Sequence, residues 1–237
     1  MRRRLTRLFA HLGILVVVLA APSAASASSV IFSNFGAGFS YDASVGNAVG
    51  DDGFGLTEWV GETFTSGLTA NLSSIEIALS SGFGSATDPL TVALRSSGSG
   101  APGAILESFI VGAGAGGALG TLNSPILLTS TLFPLLTSGN QYWLTVQAPS
   151  TSAYAWNFNN TGANAAHAIS TDDGNNWDVF ASTFFTPGAF QIDGNPTTDT
   201  PPVPEPASLM LLGSGLIGAA VSRRRKAARQ RSENQAS

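Results

Sequence analysis

Alternation with a period of two runs through the middle of this chain and constrains its fold more than any other feature. Within 72–79, Ile75, Ile77 and Leu79 share one side while Ser74, Glu76 and Ala78 share the other. Leu90, Val92 and Leu94 oppose Thr91, Ala93 and Arg95; Tyr142, Leu144 and Val146 oppose Trp143, Thr145 and Gln147; Tyr154, Trp156 and Phe158 line a further face. Successive side chains of a strand point to opposite faces of its sheet, so each pattern is that of a half-buried strand. Shorter candidates are 30–35, 58–64, 105–111, 177–180 and 190–192. Turn residues separate them: Asp51-Asp52-Gly53, Ser97-Gly98-Ser99-Gly100, Pro102-Gly103, Ser138-Gly139-Asn140 and Asp173-Gly174. With 27 glycines disfavouring helix and no helical stretch between the strands, the expected fold class is all-β. It is expected as an antiparallel β-sandwich or jelly-roll-like single domain over 28–194.

Charge is placed very unevenly. Four of the 11 bases are Arg2, Arg3, Arg4 and Arg7, and six more lie at 223–231. Arg95 is the one base in 28–202, where 13 of the 15 acids lie, a net charge near −12. Such a surface repels a polyanion, which argues against nucleic-acid binding. The absence of Cys excludes disulfides and thiolate chemistry.

The first 27 residues read as a secretory signal peptide. A basic stretch to Arg7 leads into an apolar run centred on 14–19, and Ala25-Ser26-Ala27 supplies the small residues at −3 and −1 of a cleavage site. Signal peptidase is expected to cut after Ala27, leaving Ser28 first. The opposite end has three parts. Residues 195–206 form a Pro-rich linker ending in Val203-Pro204-Glu205-Pro206, stiffened because each proline fixes its own φ and restricts the residue before it. Residues 207–222 are uncharged and read as one short transmembrane helix. At about 1.5 Å per residue it reaches roughly 24 Å, under the ~30 Å of a bilayer core. Residues 223–237 open with Arg223-Arg224-Arg225-Lys226, a basic cluster expected to stay in the cytoplasm.

Val-Pro-Glu-Pro, a Gly-containing apolar helix and a terminal Arg cluster together resemble the PEP-CTERM sorting signal of Gram-negative bacteria. The resemblance implies processing by exosortase, a membrane-embedded transpeptidase, in a cell that makes extracellular polysaccharide. It casts Pro204, Glu205 and Pro206, preceded by Val203, as the recognition motif and Arg223, Arg224 and Arg225 as the retention cluster. The middle region resembles the choice-of-anchor domains of exported bacterial proteins, the R type in particular. The residues that carry this are Glu62-Thr63-Phe64-Thr65, Leu72-Ser73-Ser74-Ile75, Val92-Ala93-Leu94-Arg95, Gly100-Ala101-Pro102-Gly103, Tyr142-Trp143-Leu144, Tyr154-Ala155-Trp156 and Phe190-Gln191-Ile192. That resemblance implies fold class and location, with no activity attached.

Catalytic chemistry is poorly supplied. His167 is the one histidine of the exported region, no Gly-x-Ser-x-Gly elbow accompanies it, and it is expected at the surface or in a turn. Gly112-Ala113-Gly114-Ala115-Gly116-Gly117 fits the dinucleotide fingerprint in letters, but no acid follows before Asp172, so a flexible loop is expected. Ser170-Thr171-Asp172-Asp173-Gly174-Asn175-Asn176-Trp177 resembles the Asp-box, a hairpin turn held by Ser and Asp. Its oxygens, with Asp178, could also reach Ca²⁺, although the spacing is not that of an EF-hand. Trp59, Trp143, Trp156 and Trp177 are expected in the core, or else as a sugar-stacking platform.

The expected protein is therefore a non-enzymatic, exported surface or extracellular-matrix component with a structural or adhesive role and no cofactor. Its partners would be signal peptidase, exosortase, the inner membrane in transit and, on a second reading, polysaccharide. A glycan-binding module is the alternative and a secreted hydrolase the weaker one.

Overall fold

The alternating segments form strands that pack as two antiparallel sheets around one apolar layer. The computed structural model describes residues 28–82, 86–181 and 185–197. Its strands are β1 (Ser29–Ser33), β2 (Asp42–Asp51), β3 (Thr57–Thr65), β4 (Ala70–Ile77), β5 (Leu79–Ser81), β6 (Leu90–Gly98), β7 (Ala101–Val111), β8 (Ile126–Thr129), β9 (Leu135–Leu136), β10 (Gln141–Gln147), β11 (Ala153–Phe158), β12 (His167–Ser170), β13 (Asp178–Phe180) and β14 (Phe190–Pro196). A 3-10 turn at Ala37–Phe39 is the one helical element among the described residues. The smaller sheet runs β1-β14-β4-β8, with β9 also on β4. The larger runs β5-β11-β2-β3-β10-β6-β7, and the β12–β13 hairpin joins it through β3.

The inward phase of each strand supplies the core. Leu72, Ile75, Ile77, Phe190 and Ile192 from the smaller sheet meet Val60, Leu94, Leu144, Val146, Tyr154 and Trp156 from the larger. Phe190 sits at the contact between layers, its ring 4.9 Å from Phe32, 5.6 Å from Trp156 and 5.8 Å from Phe64. Burying such side chains contributes about 1.5–3 kcal/mol each.

Three local features depart from the sequence pattern. Segment 72–79 divides, because the chain leaves the smaller sheet at Ala78 and enters the larger at Leu79, which pairs with Trp156. The Ala78 N–H donates to the Ala189 carbonyl and its carbonyl accepts from Asn157, so the crossing leaves no backbone group unpaired. Pro102-Gly103, expected as a turn, lies inside β7 with Pro102 opposite Ser97; the turn itself is at Ser99-Gly100, both left-handed. β7 is an edge strand, the place in a sheet where a proline is tolerated. Strands β2, β8, β9 and β12 have no counterpart among the expected segments. In β2 glycine masks the alternation, and a side chain at Gly46 would run into the Trp156 backbone.

Glu107 joins the two sheets at one edge. It projects inward from β7, 2 % exposed, and accepts from Ser130 Oγ at 2.6 Å, Thr131 N–H at 2.6 Å, Leu132 N–H at 3.1 Å and Thr131 Oγ1 at 3.2 Å, all just past β8. Burial raises its carboxyl, but these hydrogen bonds together lower it further, leaving it below its ordinary 4.5. Glu107→Ala is expected to cost about 1–3 kcal/mol in urea denaturation at neutral pH, since it leaves the buried Ser130 hydroxyl without its acceptor. A group with a depressed folded pKa stabilises above its unfolded pKa, so the gap between wild type and variant should close as pH falls below 4.5 through the folded value.

Candidate functional site

The inward phase of β3 reads Val60, Glu62, Phe64, so it carries a carboxylate into the layer between the sheets. β2 pairs with β3 only at Gly50–Glu58 and Asp51–Thr57 and then parts from it. β12 takes the side of β3 that β2 leaves, with His167 opposite Glu62. The wedge between the diverging strands is filled by polar groups converging on one oxygen. Glu62 Oε1 lies 2.8 Å from His167 Nδ1, 3.0 Å from Asn47 Nδ2 and 3.4 Å from the Gly188 N–H. Glu62 Oε2 is buried with no hydrogen-bond partner among the described residues. The imidazole stacks on Phe185, 4.6 Å between centroids and 17° between planes. Gly188 is required here because a Cβ would overlap the indole of Trp156.

His167 is thus not a surface or turn residue. It lies in a strand at 1 % exposure, because a buried carboxylate at the wedge needs a donor and the β12 register supplies it. Burial is the largest influence on Glu62 and raises its carboxyl from 4.5 to about 7, against the lowering effect of His167, Gly188 and Asn47. A carboxylate–imidazole pair is the equipment of general acid–base chemistry. Here both partners are enclosed, Glu62 at 0 % exposure. Breaking a buried pair leaves one charge uncompensated, so His167→Ala is expected to destabilise by about 3–5 kcal/mol in urea. The sign for Glu62 is opposite to that for Glu107. A raised folded pKa stabilises fully below the unfolded value of 4.5, and the effect is lost as pH rises through about 7. Glu62→Gln should flatten that part of the stability–pH curve.

The tryptophans divide among three environments. Trp156 is fully buried between the sheets. Trp143 is fully buried on the opposite face of the larger sheet, near Gly61. Trp59 and Trp177 are half-buried on that same outer side. Arg95 lies 5.8 Å above the Trp177 ring, with its Nε–H donating to Thr145 Oγ1 and an Nη1–H to the Gly103 carbonyl. The Nε1 atoms of Trp143 and Trp177 are buried with no partner among the described residues.

Residues 170–177 form the hairpin turn between β12 and β13. Ser170 Oγ donates to Asp172 Oδ1 at 2.9 Å and accepts the Gly174 N–H at 2.9 Å, while Asp172 Oδ1 accepts the Asn176 N–H at 2.9 Å. These bonds, those from Asn176 foremost, hold the Asp172 carboxyl below its ordinary range. Asp173 and Gly174 take positive φ of 59° and 77°. A Cβ at Gly174 would come within 2.8 Å of the Trp59 ring, so the turn lies directly on Trp59. The Asp172 oxygens are thereby engaged within the turn, and among the described residues no group of three His, Cys, Asp or Glu is placed to hold a metal ion. The glycine run 112–117 is a turn after β7 with no helix following it. Gly116, at φ 88°, packs so closely on the Leu79 carbonyl that no Cβ would fit.

Of the residues read as export and sorting signals, Ser28 is described and exposed, its hydroxyl 2.7 Å from that of Ser73. Ala25 and Ala27 lie outside the described residues, as do Val203, Pro204, Glu205, Pro206, Arg223, Arg224, Arg225 and the expected membrane helix. Residues 202–226 match the family model of the PEP-CTERM protein-sorting motif. The chain carries a PEP-CTERM tail. This makes it an exported protein of the Gram-negative type, processed by exosortase and sorted to the cell surface. The expected motif residues 203–206 and 223–225 fall within the matched span. No curated protein matches the chain.

Proposed function

We propose that the β-sandwich is a non-catalytic structural or adhesive component of the cell surface and its extracellular matrix. The observation that carries this reading is the pairing of a PEP-CTERM tail with a domain whose one carboxylate–histidine pair is enclosed between sheets rather than set in a cleft. A general acid or base must come within hydrogen-bond reach of its substrate. Glu62 and His167 are instead spent on filling the wedge beside β3, which weakens the hydrolase reading. The resemblance to choice-of-anchor domains of the R type agrees with a cargo domain that is exchanged between anchoring tails. On this reading signal peptidase leaves Ser28 as the first residue. The apolar helix then halts in the inner membrane with Arg223, Arg224 and Arg225 inside, and exosortase acts at Pro204-Glu205-Pro206. Contact with polysaccharide is the second reading, favoured by a polar groove on the outer face of the larger sheet.

Replacing Pro204, Glu205 and Pro206 together by Ala tests the sorting half of this proposal. The variant should accumulate at unprocessed size in the inner membrane, because the processing enzyme loses its motif while the helix keeps its length. Immunoblots of cell fractions that show unchanged size and unchanged surface delivery would count decisively against it.

A further inference from the structure

We propose that the groove beside Trp59 binds a neutral saccharide, one or two rings of a polysaccharide chain; this rests on the surface role proposed above and names its ligand class. The groove lies across β3, β10 and β6 at one end of the outer face, between the 148–150 turn and the Asp-box turn. Its volume of about 590 Å³ falls in the range of roughly 300–1,000 Å³ typical of small-ligand sites. Thr57, Trp59, Thr91, Gln147, Thr171 and Asp173 line it.

Register places these side chains together. Val60 pairs with Val146 in the core, so Trp59 and Gln147, one step along, point to the outer face; Gln147 pairs in turn with Thr91, and Ser170 with Trp59. The indole is held in one place. Its Nε1–H donates to the Ala148 carbonyl at 3.2 Å, and the Asp-box turn lies against its six-membered ring at Gly174. Its polar atom is therefore already satisfied, and the carbon surface that reaches the groove can pack against the C–H face of a pyranose with little loss of side-chain freedom.

The polar groups around it are not engaged with the protein. Among the described residues, no hydrogen bond ties the side chains of Thr57, Thr91, Thr171 or Asp173, and Gln147 makes a single long one, 3.4 Å to Thr145 Oγ1. Hydroxyls, an amide and one carboxylate match the mixed donors and acceptors of sugar hydroxyls. They do not match an apolar ligand. An acidic polymer is excluded by charge: the groove lining contains Asp173 and no base, within a region of 13 acids and one base.

The full chain, made in a host that has no exosortase and purified from its membranes in mild detergent, is titrated by calorimetry with cellohexaose, maltohexaose and mannohexaose as neutral probes and polygalacturonate as the acidic one. At least one neutral hexaose should bind. Trp59→Phe and Gln147→Ala should each weaken it about tenfold, as expected for partial loss of one buried contact, and Leu127→Ala, on the exposed side of the smaller sheet, should not. Near-UV circular dichroism confirms that each variant stays folded. Binding by no neutral hexaose, affinity unchanged from wild type in both groove variants, or tighter binding of polygalacturonate would each overturn the site. Retention of the protein in the extracellular matrix is measured in parallel and separates the two levels. Wild-type protein retained in the matrix without hexaose binding overturns the groove and leaves the surface role intact; wild-type protein absent from the matrix overturns that role.

Discussion

A carboxylate buried where two strands part company sets much of this architecture. β2 and β3 share two residue pairs and then separate, and the space opened on the inner side of the sheet must be filled. An apolar side chain on β3 would close it by packing alone. Glu62 instead demands donors, and the chain brings three from distant parts of the sequence: Asn47 on β2, His167 on β12 and the Gly188 amide just before β14. Each contact fixes an element that has little hydrophobic payload of its own. β12 holds its register on β3 through the pair opposite Glu62, and the segment leading into Phe190 is tied down before that ring enters the core. Polar clusters of this kind contribute through the uniqueness they impose as much as through net stability.

The docking of β12 has a consequence on the far side of the sheet. The hairpin that leaves it folds its Asp-box turn over the outer face, with Gly174 on Trp59. The inner polar cluster and the outer groove are thereby linked through one four-residue strand: His167 at one end faces Glu62, and Ser170 at the other pairs with Trp59. On the saccharide proposal, the acidic character of the region sets the class of partner that groove would accept. A strongly anionic surface stays soluble and keeps polyanions away, leaving uncharged chains as the polymers it can approach closely.

Much of this was legible in the sequence, and the rest failed for identifiable reasons. Strands with large alternating side chains, such as β6 and β10, could be read directly. β2 could not, because its alternation is carried by Val49 and by glycines chosen for close backbone approach. The crossing at Ala78 was invisible because Ile75, Ile77 and Leu79 all face the same core from different sheets. The Asp-box was legible because its hydrogen bonds are local. The pairing of Glu62 with His167 was not, since 105 residues separate them. The sign that was available is the carboxylate itself, set on the apolar phase between Val60 and Phe64, where a lone charge would be untenable without a partner. Sorting was legible because a membrane-embedded enzyme reads a contiguous motif, with no tertiary structure intervening between residues and recognition.

The central proposal is that the β domain is carried across the inner membrane, parted from its sorting tail there by exosortase, and delivered to the cell surface. Mass spectrometry of both ends of the protein recovered from the surface and matrix fraction tests this most directly. The account predicts a chain that begins at Ser28 and ends close to Pro204-Glu205-Pro206, without the apolar segment and the arginines beyond it. Recovery of the chain with its tail intact through Arg225, confined to the inner-membrane fraction, would contradict it.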